Sequence, residues 1–99
     1  MSAWGGRGVQ ALLVQVLHEQ GLTCHLCLKP VVLGLRARHP RGPSLDHVIP
    51  RSRGGTNDRE NLRIAHHGCN SRRGAKPLTP ELLASFRAGR TSAAGASFF

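Results

Sequence analysis

Apolar side chains recur at Val9, Leu12, Leu13, Val16 and Leu17. This i, i+3, i+4, i+7, i+8 pattern predicts an amphipathic helix over residues 8–20. Gly21 stands where such a helix takes its left-handed stop. A tight turn with two cysteines follows, LTCHLCLKP. Between Val31 and Pro43 short apolar runs mix with Arg36, Arg38, His39, Pro40 and Arg41, which reads as a strand followed by an exposed basic loop. Ser44 to Ile49 reads as a second strand, ended by Pro50. Residues 51–58, RSRGGTND, form a turn in which Gly54 and Gly55 supply backbone freedom. Leu62 and Ile64 alternate inward across Asn61–Ala65, the pattern of a returning strand. His66 to Arg73 is expected to turn into a short helix that Gly74 ends. Thr79 suits a cap and Pro80 a first turn, so a last helix should start there and run to about Ala88, with Gly89 as its stop.

These elements give an α+β chain whose centre is strand, turn, strand, short helix. Residues 1–21 are expected as a helix packing on the core, 22–76 as the core itself and 77–89 as a C-terminal helix. The Ser-, Ala- and Gly-rich residues 90–99 are expected to be a flexible tail, despite the terminal Phe98-Phe99. A chain of 99 residues holds one small domain. Its core gives a thin stability margin, which small domains often supplement with a metal. One Trp, three Phe and no Tyr leave that core to Leu, Val and Ile.

Charge sharpens the picture. Lys and Arg number 14 against 5 Asp and Glu, a formal +9, and all the basic residues but Lys29 and Lys76 are Arg. Guanidinium groups pair with phosphate through planar, bidentate contacts. A small, strongly basic domain therefore points to nucleic acid, with plain solubility as the alternative. No apolar run reaches the roughly 18 residues of a membrane span. The N-terminal stretch is broken by Gln15, His18 and Glu19 and lacks a cleavage site, so no signal peptide is expected. Three cysteines cannot complete a disulfide framework. In a reducing cytoplasm, the expected compartment, cysteines serve more often as metal ligands.

Two residues separate Cys24 from Cys27, and two separate His66 from Cys69. Such spacing lets both members of a pair curl around one ion. Together the pairs supply three thiolates and an imidazole, the ligand set of a closed tetrahedral zinc site. His67 is an alternative fourth ligand, and His25, inside the first knuckle, is expected to point outward. The plainer reading makes the cysteines small buried hydrophobes.

The stretch Leu45–Gly74, LDHVIPRSRGGTNDRENLRIAHHGCNSRRG, resembles the HNH, or ββα-metal (His-Me finger), nuclease family. An Asp-His pair, a Pro, a Gly-Gly turn, an Asn-Leu and a knuckle whose last Cys precedes Asn occur in that order, and the likeness covers about residues 22–76. It departs at Leu28, where relatives often carry Gly, and at His66, where they usually carry a fourth cysteine. The resemblance implies that His47 is the general base and that Asp46 and Asn70 bind a catalytic divalent cation, Mg2+ or Mn2+. It implies that Asn61 holds the loop between the strands and keeps His47 aimed. It further implies DNA phosphodiester hydrolysis, by nicking or double-strand cleavage, to 5′-phosphate and 3′-hydroxyl ends.

The residue types suit that chemistry. A neutral imidazole with an ordinary pKa of about 6.5 takes a proton from water at neutral pH. A hard cation prefers the oxygens of Asp46, Asn70, phosphate and water. Arg51, Arg53, Arg72 and Arg73 are the expected DNA contacts, fixing register without reading bases. Two other readings stay open: a zinc-bound nucleic-acid-binding module that does not cut, and an accessory subunit of a larger DNA-processing machine such as a phage packaging motor. A bacterial or phage origin follows from the resemblance alone. Duller roles remain as well, with Asp46 or Asn70 as caps and His47 or Asn61 as structural side chains.

Overall fold

The computed structural model describes residues 6–95 and comprises helix α1 (Gly6–Gln20), strands β1 (Pro43–His47) and β2 (Leu62–His66), and helices α2 (His67–Arg73) and α3 (Pro80–Gly95). Single turns of 3-10 helix at Arg51–Arg53 and Arg59–Asn61 lie between the strands. Helix α1 presents the expected face: Val16 is fully buried, and Val9, Leu12, Leu13 and Leu17 pack against the core around it. Gly21 ends it at φ 88°, its N–H donating to the Leu17 carbonyl at 2.8 Å. The Gln20 side chain then reaches β2, donating from Nε2 to the Leu62 carbonyl and accepting from Ile64 N–H at Oε1. It thereby covers polar groups on an otherwise open strand edge.

Strands β1 and β2 pair antiparallel, with Leu45 opposite Ile64, Asp46 opposite Arg63 and His47 opposite Leu62. Leu45, Leu62, Ile64 and Ala65 join Val16, Leu26, Val31 and Phe86 in the core. The connection between the strands needs its glycines for different reasons. Gly54 adopts φ 92°, and Gly55 lies so tightly on the Ile49 carbonyl that no Cβ fits. Helix α2 follows β2 without a break, and Gly74 closes it at φ 59° with its N–H on the Asn70 carbonyl. Helix α3 starts as expected, Thr79 Oγ1 accepting the Leu82 N–H at 3.1 Å. It buries Phe86, and Arg87 donates to the carbonyls of His25 and Leu26, tying this helix to the cysteine turn.

Two expectations fail here. No strand forms between Val31 and Pro43; extended pairing is limited to a bridge between Thr23 and Pro30. Positive φ at Gly34 and Arg38 and a turn from Arg36 to His39 break the run, and only Val31 of its apolar residues is buried. Nor does Gly89 stop the last helix, which continues to Gly95. A helical glycine costs only about 1 kcal/mol relative to alanine, and Ala88, Ala93 and Ala94 are strong helix formers. The rest of the expected tail, Phe98-Phe99 included, lies outside the described residues, as do residues 1–5. Among the described residues no helix is long and apolar enough to cross a membrane.

Candidate active site and metal centre

The cysteine turn is closed by Leu28 N–H donating to the Cys24 carbonyl and held against β2 by His25 N–H donating to the Ile64 carbonyl. Leu28, the residue that departs from the family's usual glycine, takes φ 68°. This placement brings Cys24 and Cys27 beside the junction of β2 and α2, from which His66 and Cys69 project. One ligand atom from each of the four lies within 4.8 Å of all the others. His66 Nδ1 is 3.3 Å from Cys27 Sγ and 3.7 Å from Cys69 Sγ. Its Nε2–H donates to the Pro30 carbonyl at 2.9 Å, which leaves the lone pair on Nδ1, facing the sulfurs. His66 rather than His67 therefore joins the three cysteines as the fourth group able to hold an ion.

Burial, and then the neighbouring Cys24 and Cys27 thiols, push the Cys69 thiol up to about 12. Three sulfurs and one imidazole converging in this way could hold a cation, and three thiolates with one imidazole fit zinc. A tetrahedral ion here would staple the cysteine turn to the β2–α2 junction.

On the other side of the knuckle, Asp46, His47 and Asn70 line one open pocket of about 300 Å3, together with Arg51. Strand β1 ends at His47, so the neighbours Asp46 and His47 reach the same pocket where the chain bends away. Asn70 Nδ2 donates to Ser44 Oγ and the Leu45 carbonyl, which leaves the amide oxygen as its remaining acceptor. Oxygens of the Asp46 and Asn70 type are hard donors of the kind a divalent cation such as Mg2+ or Mn2+ takes, and here Arg73 and His25 also engage the Asp46 carboxylate. His47 Nε2 lies 2.9 Å from Asn57 Oδ1. A neutral ring donating its Nε2–H there carries its lone pair on Nδ1.

Asn61 ties the loop between the strands together. Its Oδ1 accepts from Ile49 N–H at 2.8 Å, and its Nδ2 donates to the carbonyls of Ile49 and Thr56. Asn61→Ala removes all three bonds, each worth about 1 kcal/mol net. Thermal unfolding should show a loss of about 1–3 kcal/mol. An unchanged Tm would mean that the loop holds its shape without them.

Two sequence expectations are corrected. Arg73, expected on DNA, is fully buried. Its Nη1 lies 2.8 Å from both Asp46 oxygens and 2.6 Å from the His47 carbonyl, while Nη2 and Nε donate to the carbonyls of Val48 and Lys76. Three residues beyond Asn70 on α2, it shares that residue's face, which packs on β1. His25, expected to point outward, turns in, its Nε2–H donating to Asp46 Oδ2 at 2.7 Å. Arg51, Arg53 and Arg72 are exposed. Arg53 Nε donates to the Ala75 carbonyl, and the Arg72 guanidinium stacks 4.4 Å over the Phe86 ring. Sequence reasoning missed Asn57 and the inward turn of His25; no spacing rule marks either, since both contacts arise from how loops pack.

The comparisons with known proteins fit this arrangement. A family model described as HNH endonuclease matches residues 24–76. The matched segment holds both ligand pairs, both strands and the pocket. The chain belongs to the HNH endonuclease family, and its core is the small α+β, ββα-metal fold of that family. No curated protein matches the chain. No solved structure does either.

Proposed function

We propose that this protein is a metal-dependent endonuclease that hydrolyses DNA phosphodiester bonds, with zinc in the Cys24, Cys27, His66, Cys69 site. The observation that carries the reading is the shared pocket of Asp46, His47 and Asn70, whose residue types are those hydrolysis needs. His47 acts as general base, its ring fixed by Asn57 and its loop by Asn61. It removes a proton from a water, and the resulting hydroxide attacks phosphorus in line with the departing 3′ oxygen. Asp46 and Asn70 hold a divalent cation, Mg2+ or Mn2+, which when bound neutralises charge building on that oxygen. Arg51, Arg53 and Arg72 hold flanking phosphates and fix register.

The plain test is supercoiled plasmid. Wild type with Mg2+ or Mn2+ should yield nicked or linear DNA, and a chelator of these ions should stop the reaction. One observation favours a second reading, a zinc-bound module that binds without cutting: the Asp46 carboxylate is already engaged by Arg73 and His25. Tight DNA binding with plasmid left supercoiled under both ions would select that reading and defeat the first.

A further inference from the structure

Asp46 is the one acidic residue lining the active-site pocket, and its charge is already balanced inside the protein. The Arg73 Nη1 group sits 2.8 Å from each carboxylate oxygen, both side chains are nearly or fully buried, and His25 Nε2 adds a donor on Oδ2. The other polar groups on the pocket wall are the neutral Asn70 and Ser52, the His47 ring and the cationic Arg51. A divalent cation touching Asp46 would gain the attraction of one carboxylate. Both of its oxygens are already bonded to the Arg73 guanidinium and one also to His25, so the ion would compete for them and meet a repulsion that offsets part of that gain.

An anion meets the opposite balance, with two guanidinium groups at or behind the pocket and no uncompensated acid in its wall. We propose that this pocket is a phosphate site first, and that it takes up the divalent cation only jointly with a DNA phosphate, whose charge and oxygens complete the coordination. The proposal rests on the nuclease reading and adds an order of assembly to it. Arg73 is then a positioning residue with a second effect: it holds Asp46 in place and keeps the DNA-free pocket from retaining a metal ion.

The test measures Mn2+ binding, followed by loss of the free-ion electron paramagnetic resonance signal, to zinc-loaded protein. The His47→Ala variant is used so that DNA stays intact, with and without a short duplex, and Mn2+ bound by the duplex alone is subtracted. The expected result is weak binding to the DNA-free protein and a gain of about 5- to 150-fold with DNA. By reciprocity Mn2+ tightens duplex binding by the same factor. Arg73→Gln removes the internal cation and should raise DNA-free Mn2+ affinity at least about tenfold.

Equal Mn2+ affinity with and without duplex overturns the proposal, as does an Arg73→Gln protein that folds and binds Mn2+ no better. Should that variant fail to fold, the comparison with and without DNA still decides. Plasmid cleavage by wild type, run alongside, separates two failures. Cleavage without coupling sinks this proposal alone, whereas absence of cleavage under either ion sinks the nuclease reading beneath it.

Discussion

Removing the metal from the four-ligand site is expected to unfold the protein rather than merely soften it. Cys24 and Cys27 belong to the buried core, and the half-buried Cys69 packs against it, so the site is anchored in the core. The described residues offer no disulfide to take over: Cys24, Cys27 and Cys69 are all free thiols. Structural zinc contributes on the order of 10–16 kcal/mol in small zinc-dependent peptides at neutral pH. A whole domain retains only about 5–15 kcal/mol of net stability. Loss of the ion is thus comparable with everything that holds the chain together. Circular dichroism after treatment with a strong zinc chelator should lose most helical signal, and Cys69→Ser should reproduce that loss without chelator. His66→Cys, which keeps four competent ligands, should retain about one equivalent of zinc and melt cooperatively. A metal-free protein that melts with wild-type Tm would overturn the structural role of the site.

Folding and metal binding ask opposite protonation states of the same thiols. In the metal-free fold, burial and the neighbouring thiols raise Cys69 from 9.0 to about 12. A pKa raised on folding gives stability that is complete below the unfolded value. That contribution fades as pH climbs from about 9 toward 12. Metal binding works the other way, because it requires thiolates and a neutral imidazole. Zinc retention, and the fold with it, should fail on the acid side, where protons compete for sulfur. Because the zinc-free chain is expected to be unfolded, the check is a Tm series of the zinc-loaded protein, which should fall together with zinc content as pH drops.

How much of this the sequence disclosed depends on the kind of contact. The face of α1 was legible because Val9, Val16 and their neighbours repeat at helical spacing, and burying that face is what forms the helix. The ligand pairs were legible because two-residue spacing is a local geometric requirement. Thr79 and Gly74 act within a turn of their own positions, so they too could be read. His25 and Arg73 could not. Each points where it does because the cysteine turn and α2 converge on Asp46 from segments distant in sequence. A buried guanidinium looks the same in sequence as a surface one; only the five acceptor oxygens around Arg73 distinguish it. The Val31–Pro43 segment misled for a related reason. Its Val and Leu residues suggest a strand, yet Leu33 and Leu35 stay exposed on either side of a left-handed Gly34, so no second face exists to bury them.

His47→Ala should cut the rate of DNA cleavage by about 10²–10⁴-fold, the usual contribution of a general base. The residue is half-buried at the end of β1, and its ring contact with Asn57 is at the surface, so removing the ring should leave the fold standing. Zinc content and the melting curve should therefore match wild type while turnover collapses. DNA affinity should also persist, because the arginines proposed to hold phosphate are untouched. This split separates a base from a merely structural histidine, whose loss would lower Tm and binding together. Asn57→Ala, which leaves the ring but removes its 2.9 Å partner, should fall between the two, with kcat reduced and KM little changed. If His47→Ala cleaves plasmid at the wild-type rate under Mg2+ and Mn2+, the proton is taken elsewhere and the pocket's assignment as the hydrolytic centre fails.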